Sequence, residues 1–290
     1  MCIRDSAYAD DNPAAVAGRR FRELLYEPDN PNAWPVEGYA PSVSRFRRQD
    51  LQAFHQRAYN PQTLVLAIVG AVDPANVLDL AMATVGSWTN HRGSISLEGW
   101  HHALASADAP PHAPDGDHRR EDLALAGKTQ TEFVLGWLGL RRNEPQYYAA
   151  IVANYILGQM GLGGRIGSNV RDTQGLAYHA TSSFESGLTR QPWTLRAGIN
   201  PSNVDQAISA SLHEAHKLAD QPPDADELRL TKQALVGSMP LQLERNEGIA
   251  NMLLALERHG LGRDFLTIFP DLVTNVRAQD VCTVIGSIMN

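Results

Sequence analysis

The sequence predicts an α+β fold made of two related units, in each of which helices pack on one face of an antiparallel sheet. Three observations lead to this prediction: apolar residues at helical spacing, runs that alternate apolar and polar residues, and an internal repeat. A length of 290 residues suits two domains of ordinary size. Hydrophobic residues make up 43% and charged residues 20%, which is typical of a globular protein.

The first part of the chain reads as helices that lead to and follow one strand. Asn12 begins an amphipathic helix, because its side chain can accept a hydrogen bond from an early backbone N–H. Further helices are predicted over residues 48–58 and 77–85. Between them, residues 63–69 form an apolar run that stops at Gly70, and this pattern predicts a buried strand.

A linker is predicted over residues 96–127, where periodicity is lost and His, Asp, Pro and Gly accumulate. The first unit then covers residues 1–95. The second unit covers residues 128–290.

The second unit shows the pattern of a sheet covered by helices. Strands are predicted at 132–138, 178–184 and 193–199, with Tyr178, Ala180, Ser182 and Phe184 on one face of the middle segment. Helices are predicted after Asn143, over 204–218, from a capping box at Asp224, and over 248–259. We expect Pro240 to break or kink the helix that starts at Asp224.

An internal repeat relates the two units. Residues 43–54 recur at 273–284 with matching Val, Arg, Gln and Asp, followed by matching apolar positions. The predicted strand follows the first copy, whereas the sequence ends at Asn290 shortly after the second. We therefore expect a first unit that is incomplete at its start and a second unit that is truncated at its end, since a missing strand leaves backbone groups unpaired.

Composition excludes several classes of function. A formal charge of −7, with no stripe of Lys and Arg along a predicted helix, argues against nucleic acid as a partner. Two cysteines supply neither a disulfide framework nor a thiolate metal cluster. No apolar run reaches the 18 to 20 or so residues that span a membrane. The cellular compartment stays open.

Two ordered groups of motifs carry a family resemblance. The first comprises Asp11-Asn-Pro, Arg20-Phe, Leu24-Leu-Tyr, Gln49-Asp-Leu, Phe54-His, Tyr59-Asn-Pro and Ile68-Val-Gly. The second comprises Gln130-Thr, Tyr155-Ile-Leu-Gly, Gly163-Gly-Arg-Ile-Gly, Val170-Arg-Asp and Gly175-Leu-Ala-Tyr. In this order, and from about Asp11 onward, the sequence resembles the pitrilysin/insulinase family of zinc metallopeptidases.

The resemblance implies a fold of the LuxS/MPP-like type and a role for two residues. In that family an Arg and a Tyr seven residues apart hold the backbone carbonyl of the bound peptide, and Arg171 and Tyr178 occupy the matching positions. A guanidinium and a phenol are strong donors that can orient a carbonyl and stabilise charge on its oxygen. The alternative for this pair is a surface ion pair and a Tyr that faces the core. His179 is expected on the opposite face of the strand.

The zinc motif of the family, His-x-x-Glu-His, does not occur in this sequence. The resemblance therefore implies that zinc belongs to the intact parent protein, where metal-bound water attacks a peptide carbonyl, and that this chain binds none. It implies a peptide substrate, a zinc-bearing N-terminal domain and a second homologous half, fused or separate, as partners. The expected function is that of a fragment that contributes the substrate-binding C-terminal domain of a zinc endopeptidase.

Two other functions stay open. This family includes non-catalytic partner subunits that bind substrate or give structural support, and the sequence upstream of Asp11 would distinguish these from an enzyme. A small, naturally expressed binding module is the third reading, against which the missing strand argues.

Three other features have simpler explanations than a functional site. His213 and His216 are spaced i, i+3, unlike the ligands of a zinc helix, and a solvated helix face explains them. The histidines of the linker lack acidic partners at fixed spacing and indicate a polar loop. Glycines at 161–164 resemble a phosphate loop but lack the following Lys, and a helix end with a turn explains them.

Overall fold

A computed structural model of the protein describes residues 5, 8–59, 61, 64–88 and 118–289. Its helices are α1 Pro13–Leu25, α2 Arg48–Ala58, α3 Pro74–Thr84, α4 Tyr147–Gly158, α5 Val204–Asp220, α6 Ala225–Gln242, α7 Asn246–His259, α8 Phe265–Thr274 and α9 Ala278–Met289. The strands are β1 Thr131–Leu138, β2 Ala177–Phe184 and β3 Pro192–Ile199. Short helical turns lie at Pro31–Ala33, Ala40–Val43, Gly164–Ile166 and Pro201–Asn203, and a π-helix spans Gly167–Thr173.

The three strands form one antiparallel sheet in the order β1-β3-β2. The α+β fold predicted from the sequence is confirmed. Strand β3 lies in the centre and pairs along its whole length with β1, from Ile199 opposite Thr131 to Pro192 opposite Leu138. Alternation of apolar and polar residues predicts β2 and β3, as expected for a sheet with one face covered by helices.

Helices α4, α5 and α9 cover one face of the sheet and form the core with it. Apolar side chains of β3 are buried there: Trp193, Leu195, Ala197 and Ile199. Helix α4 has buried residues on most of its circumference, because the sheet contacts one side of it and helices α6 and α9 contact the other. This second unit therefore has a complete hydrophobic core within the described ranges.

Helix α1 packs against β1 on the opposite face of the sheet. Gly18 of α1 lies over the guanidinium of Arg196, which projects from β3 away from the core. The side chain of Arg22 bonds Glu185, and the hydroxyl of Tyr26 donates to the carbonyl of Arg190 at 3.0 Å. The helix predicted to begin after Asn12 is confirmed, and Asn12 accepts from two early N–H groups as expected.

The prediction of a buried strand at residues 63–69 is wrong for the part that the structure describes. Residues 64–69 pair with no strand among the described ranges, and the side chains of Leu64, Val65, Leu66 and Ile68 are about half exposed. The reason is tertiary: an apolar run becomes a buried strand only where a sheet is present to receive it. The predicted linker falls mostly on residues 89–117, outside the described residues, so the domain boundaries stay a prediction.

The helix signals in the sequence agree with the structure for most helices, but not in every detail. Asp224 caps α6 by accepting from the N–H of Glu227 at 2.8 Å, but the Glu227 carboxylate bonds Arg165 and does not complete the predicted box. Pro240 does not break α6, which ends two residues later at Gln242. Helix α8 was not predicted. The helices predicted over 48–58, 77–85, 204–218 and 248–259, and the one after Asn143, are present.

The internal repeat is visible in the way two helices begin. The carboxylate of Asp50 accepts from the N–H of Arg47 at 2.8 Å, and Asp280 accepts from the N–H of Arg277 at 2.8 Å. Helices α2 and α9 thus share one capping interaction at matching repeat positions. None of the helices in the described ranges combines the length and apolar character that crossing a bilayer requires.

We expect the free energy of unfolding to depend on pH through His259, which lies at the end of α7. Its Nδ1 is buried without a hydrogen-bond partner among the described residues, and burial, followed by the charges of Arg258 and Arg142, lowers the pKa of His259. The unfolded chain then binds the proton more readily, so the free energy of unfolding decreases as pH falls below about 6.5. In urea titrations we expect this decrease to be smaller in His259→Leu. His213→Ala, on an exposed face, should leave the pH-dependent decrease unchanged. A decrease in His259→Leu as large as in the parent sequence would contradict the role given to His259.

Candidate functional site

The two residues that the resemblance selects lie on either side of one tight turn between the π-helix and β2. Arg171 is near the end of the π-helix Gly167–Thr173, and Tyr178 is the second residue of β2. The N–H of Gly175 donates to the carbonyl of Arg171 at 3.1 Å, and that of Leu176 donates to Val170 at 2.9 Å. These bonds fix the path of the chain between the two side chains.

Gly175 allows this turn because its φ of +63° lies in the left-handed region that favours glycine. A π-helix of seven residues is rare, and such segments occur frequently at functional sites. Val170 is fully buried and anchors the π-helix in the core. Its neighbour Arg171 is carried to the surface.

The Arg171 guanidinium is held by its neighbour Asp172. Its Nε donates to one carboxylate oxygen at 2.8 Å and a terminal nitrogen donates to the other at 3.0 Å. This hydrogen-bonded pair lowers the pKa of Asp172 and raises that of Arg171. Sequence reasoning did not single out Asp172, although two adjacent residues of opposite charge are a visible signal. The fork leaves part of the guanidinium free to donate to a ligand.

Tyr178 is 77% exposed and does not face the core. Ala180 and Ser182, with which the alternation groups it, are buried. Strand β2 carries a bulge at this point: Ala177 pairs with Ile199 and His179 with Gly198, which leaves Tyr178 without an opposite residue. A bulge re-aims a side chain at the end of a strand. The alternative reading of Tyr178 as a core residue is excluded by its exposure.

His179 forms a separate pair on the sheet. Its Nε2 lies 3.5 Å from a carboxylate oxygen of Glu132 on β1, and both side chains lie against Gly198 of β3. A Cβ at position 198 would meet the His179 ring at 2.6 Å and the Glu132 carboxylate at 2.7 Å, so a larger residue there would displace the pair. Its partner on β1 keeps His179 apart from the turn.

A polar cluster links the π-helix to α5, in which Glu214 is buried, Asn169 is half-buried and Gln174 is exposed. Asn169 donates from Nδ2 to the carboxylate of Glu214 on α5 at 2.5 Å, and its Oδ1 accepts from Gln174 at 2.7 Å. The sequence predicts this helix over 204–218 but does not single out Glu214. In the structure Glu214 belongs to the buried side of the helix, with Ala207, Ala210, Ser211, Ala215 and Leu218. His213 and His216 are exposed, as predicted.

No three His, Cys, Asp or Glu side chains within the described ranges are arranged to hold a metal ion. The sequence likewise lacks the His-x-x-Glu-His pattern. The metal-binding side chains within these ranges therefore do not form a zinc site. What the turn offers is a guanidinium and a phenol, which are hydrogen-bond donors for a carbonyl or a carboxylate.

The sequence is similar to proteins of a known peptidase family. The sequence profile of a family described as "Peptidase M16 inactive domain" matches residues 45–235, which include the π-helix, the turn and β2. The chain is 30% identical over 250 residues to an uncharacterized zinc protease of Mycobacterium leprae, covering 84% of this chain and 52% of the relative. It thus spans about half the length of such relatives.

Solved structures share the fold. The peptidase M16 inactive domain from Pseudomonas fluorescens superposes with a TM-score of 0.80 at 23% identity, covering all of this chain and 66% of that one. A protease from Helicobacter pylori gives 0.83 at 18% identity, covering all of this chain and 68% of its own.

Substituting Gly175 should show that the turn depends on its backbone conformation. An added Cβ would meet no atom within 4 Å, so Gly175→Ala tests the positive φ alone, and we expect a loss of about 1 kcal/mol in the free energy of unfolding. Gly237→Ala is the matched control, because it also meets no atom but lies inside α6. It should stabilise by about 0.5 to 1 kcal/mol in urea titrations. If both substitutions changed the free energy of unfolding in the same direction, the role given to the positive φ of Gly175 would be contradicted.

Proposed function

Because this chain belongs to the M16 peptidase family and matches its inactive domain, we propose that it forms the wall of a zinc endopeptidase that grips the substrate peptide. The observation that carries the proposal is the turn between the π-helix and β2, on which Arg171 and Tyr178 are both presented outside the core. In this proposal both side chains donate to a backbone carbonyl of the peptide, close to the bond that is cut.

The chemistry of the turn supports this role. An Arg that is already oriented by one carboxylate loses little side-chain freedom when it binds a ligand, and such preorganisation favours affinity. A charged donor aimed at a carbonyl stabilises negative charge that develops on its oxygen. An exposed phenol can add a second donor from the other side of the turn. Gripping a peptide requires no metal, so binding is the activity expected of this chain itself.

The first unit supports the presence of a zinc-bearing partner domain. Helices α2 and α9 are repeat copies with the same cap, yet Val281 and Val284 of α9 are fully buried while Leu51 and Phe54, their counterparts on α2, are 63% and 53% exposed. Helix α9 buries that face against α4 and α5. By the repeat, the face of α2 would pack on a sheet and helices equivalent to residues 131–220.

The apolar surface extends beyond α2. Residues 64–68 border a cleft of about 510 Å³ whose other wall is Leu253 and Glu257 of α7. Large exposed apolar surfaces mark interaction sites in soluble proteins. We propose that the zinc-bearing domain covers this surface and so faces the turn of the second unit across the substrate site.

Removing the Arg171 side chain should weaken catalysis by an intact parent that carries the zinc-bearing domain. We expect Arg171→Ala to lower kcat/KM. The loss should correspond to an increase in activation free energy of about 1.5 to 3 kcal/mol, the scale of a hydrogen bond from a charged group. Arg229→Ala is the control, since Arg229 is also an Arg paired with a nearby Asp but lies on α6. Unchanged kcat/KM in Arg171→Ala would refute the assignment.

The partner domain can be tested by comparing one substitution in two settings. Phe54→Ala should change the stability of the 290-residue chain by less than about 0.5 kcal/mol, because the side chain is exposed. In the intact parent the same change should cost about 3 kcal/mol or more, because a buried ring is lost. Val284→Ala, in the complete core, should cost about 2 kcal/mol in both settings. A Phe54→Ala effect that is equally small in the parent would contradict the packing.

A further inference from the structure

We propose that Glu214 is a positioning residue that, through Asn169, holds the π-helix in the conformation that presents Arg171. The inference rests on the proposed function, since it assigns a task to the residues beneath the same turn. No substrate contact is assigned to Glu214 itself.

Glu214 is a buried carboxylate in an unusual place. It is 8% exposed and lies on the buried side of α5, with Ala207, Ala210, Ser211, Ala215 and Leu218. Burying a charged group is costly unless it is hydrogen-bonded or paired. Asn169 supplies the hydrogen bond at 2.5 Å, and the charge of Arg165 is close enough for the two groups to attract each other. Arg165 is itself fixed by two bonds to Glu227, at 2.9 and 2.5 Å.

Asn169 and Gln174 tie both ends of the Arg171 segment to α5. At one end Asn169 donates to Glu214. At the other end Gln174 donates to Asn169 at 2.7 Å and accepts from Gln206 of α5 at 3.1 Å. Arg171 lies between the two tied positions. The brace, defined as Asn169, Gln174, Gln206 and Glu214, therefore spans the residue that the proposed function needs in place.

A brace is needed because the π-helix is not a favoured backbone state. Such helices are rare and usually short, so a seven-residue example needs support, and the bonds of the brace add to the burial of Val170. If the segment relaxed toward α-helical geometry, Arg171 and Asp172 would rotate together about the helix axis, and the guanidinium would be presented in a different direction. Small displacements of a positioning group are known to cost much of its effect on a bound substrate.

The first test is amide hydrogen exchange of residues 167–176 in the 290-residue chain. Glu214→Leu removes the acceptor and Asn169→Leu removes the donor, so both should speed exchange in this segment. Glu214→Gln keeps an acceptor oxygen for Asn169 and should exchange like the parent sequence, as should the exposed control His213→Ala. If exchange in the segment is unchanged in Asn169→Leu, the brace is overturned, and this outcome does not depend on peptide binding.

The second test measures binding of fluorescein-labelled β-casein, an unfolded polypeptide, by fluorescence anisotropy. Asn169→Leu should weaken binding about threefold or more, but should add no weakening in an Arg171→Ala background, because a positioning residue acts through Arg171. A purely structural role would lower stability without this coupling, and additive weakening would overturn the proposal. If Arg171→Ala alone leaves binding unchanged, the proposed function fails, while the exchange result still decides whether the brace exists.

Discussion

The structure depends on the burial of strand β3. Its apolar side chains face a core closed by helices, and hydrogen bonds to β1 and β2 occupy both of its edges. The indole of Trp193 donates to Asn154 of α4 and Ser182 of β2, at 2.9 and 2.7 Å. At Gly158, an added Cβ would lie 2.0 Å from the backbone N of Ser182. Helix α4 is thereby locked onto the sheet, and the chain that leaves it must return to β2 through the π-helix.

This constraint explains why one turn can serve as a binding element. The segment between α4 and β2 begins and ends at rigid elements, and it is fastened in the middle by the buried side chain of Val170. Donors held on such a support need little ordering when a ligand arrives. The two units differ in this respect: the second has its own core, whereas helices α2 and α3 of the first bury none of their residues.

The fold was predictable from the sequence where local pattern and tertiary burial agree. Strand β3 alternates apolar and polar residues because the core lies on one side of it. Residues 64–69 have an equally strong apolar pattern, but no sheet among the described residues receives them, and pattern alone cannot supply a partner. The exposure of Tyr178 depends on a bulge, which adds one residue without a mark in the sequence. Glu214 could not be singled out from the sequence, because a Glu on an amphipathic helix is usually exposed to solvent. Arg171 and Tyr178 were selected by motif resemblance, and their role remains a proposal.

The most direct test of the account is to locate where an unfolded peptide contacts this chain. In an NMR titration of the isotope-labelled chain with an unstructured peptide, we predict that the largest amide shift changes fall on residues 167–179. Shift changes confined to the exposed apolar residues of α2 and 64–68, with none in the turn, would contradict the claim that Arg171 and Tyr178 bind substrate.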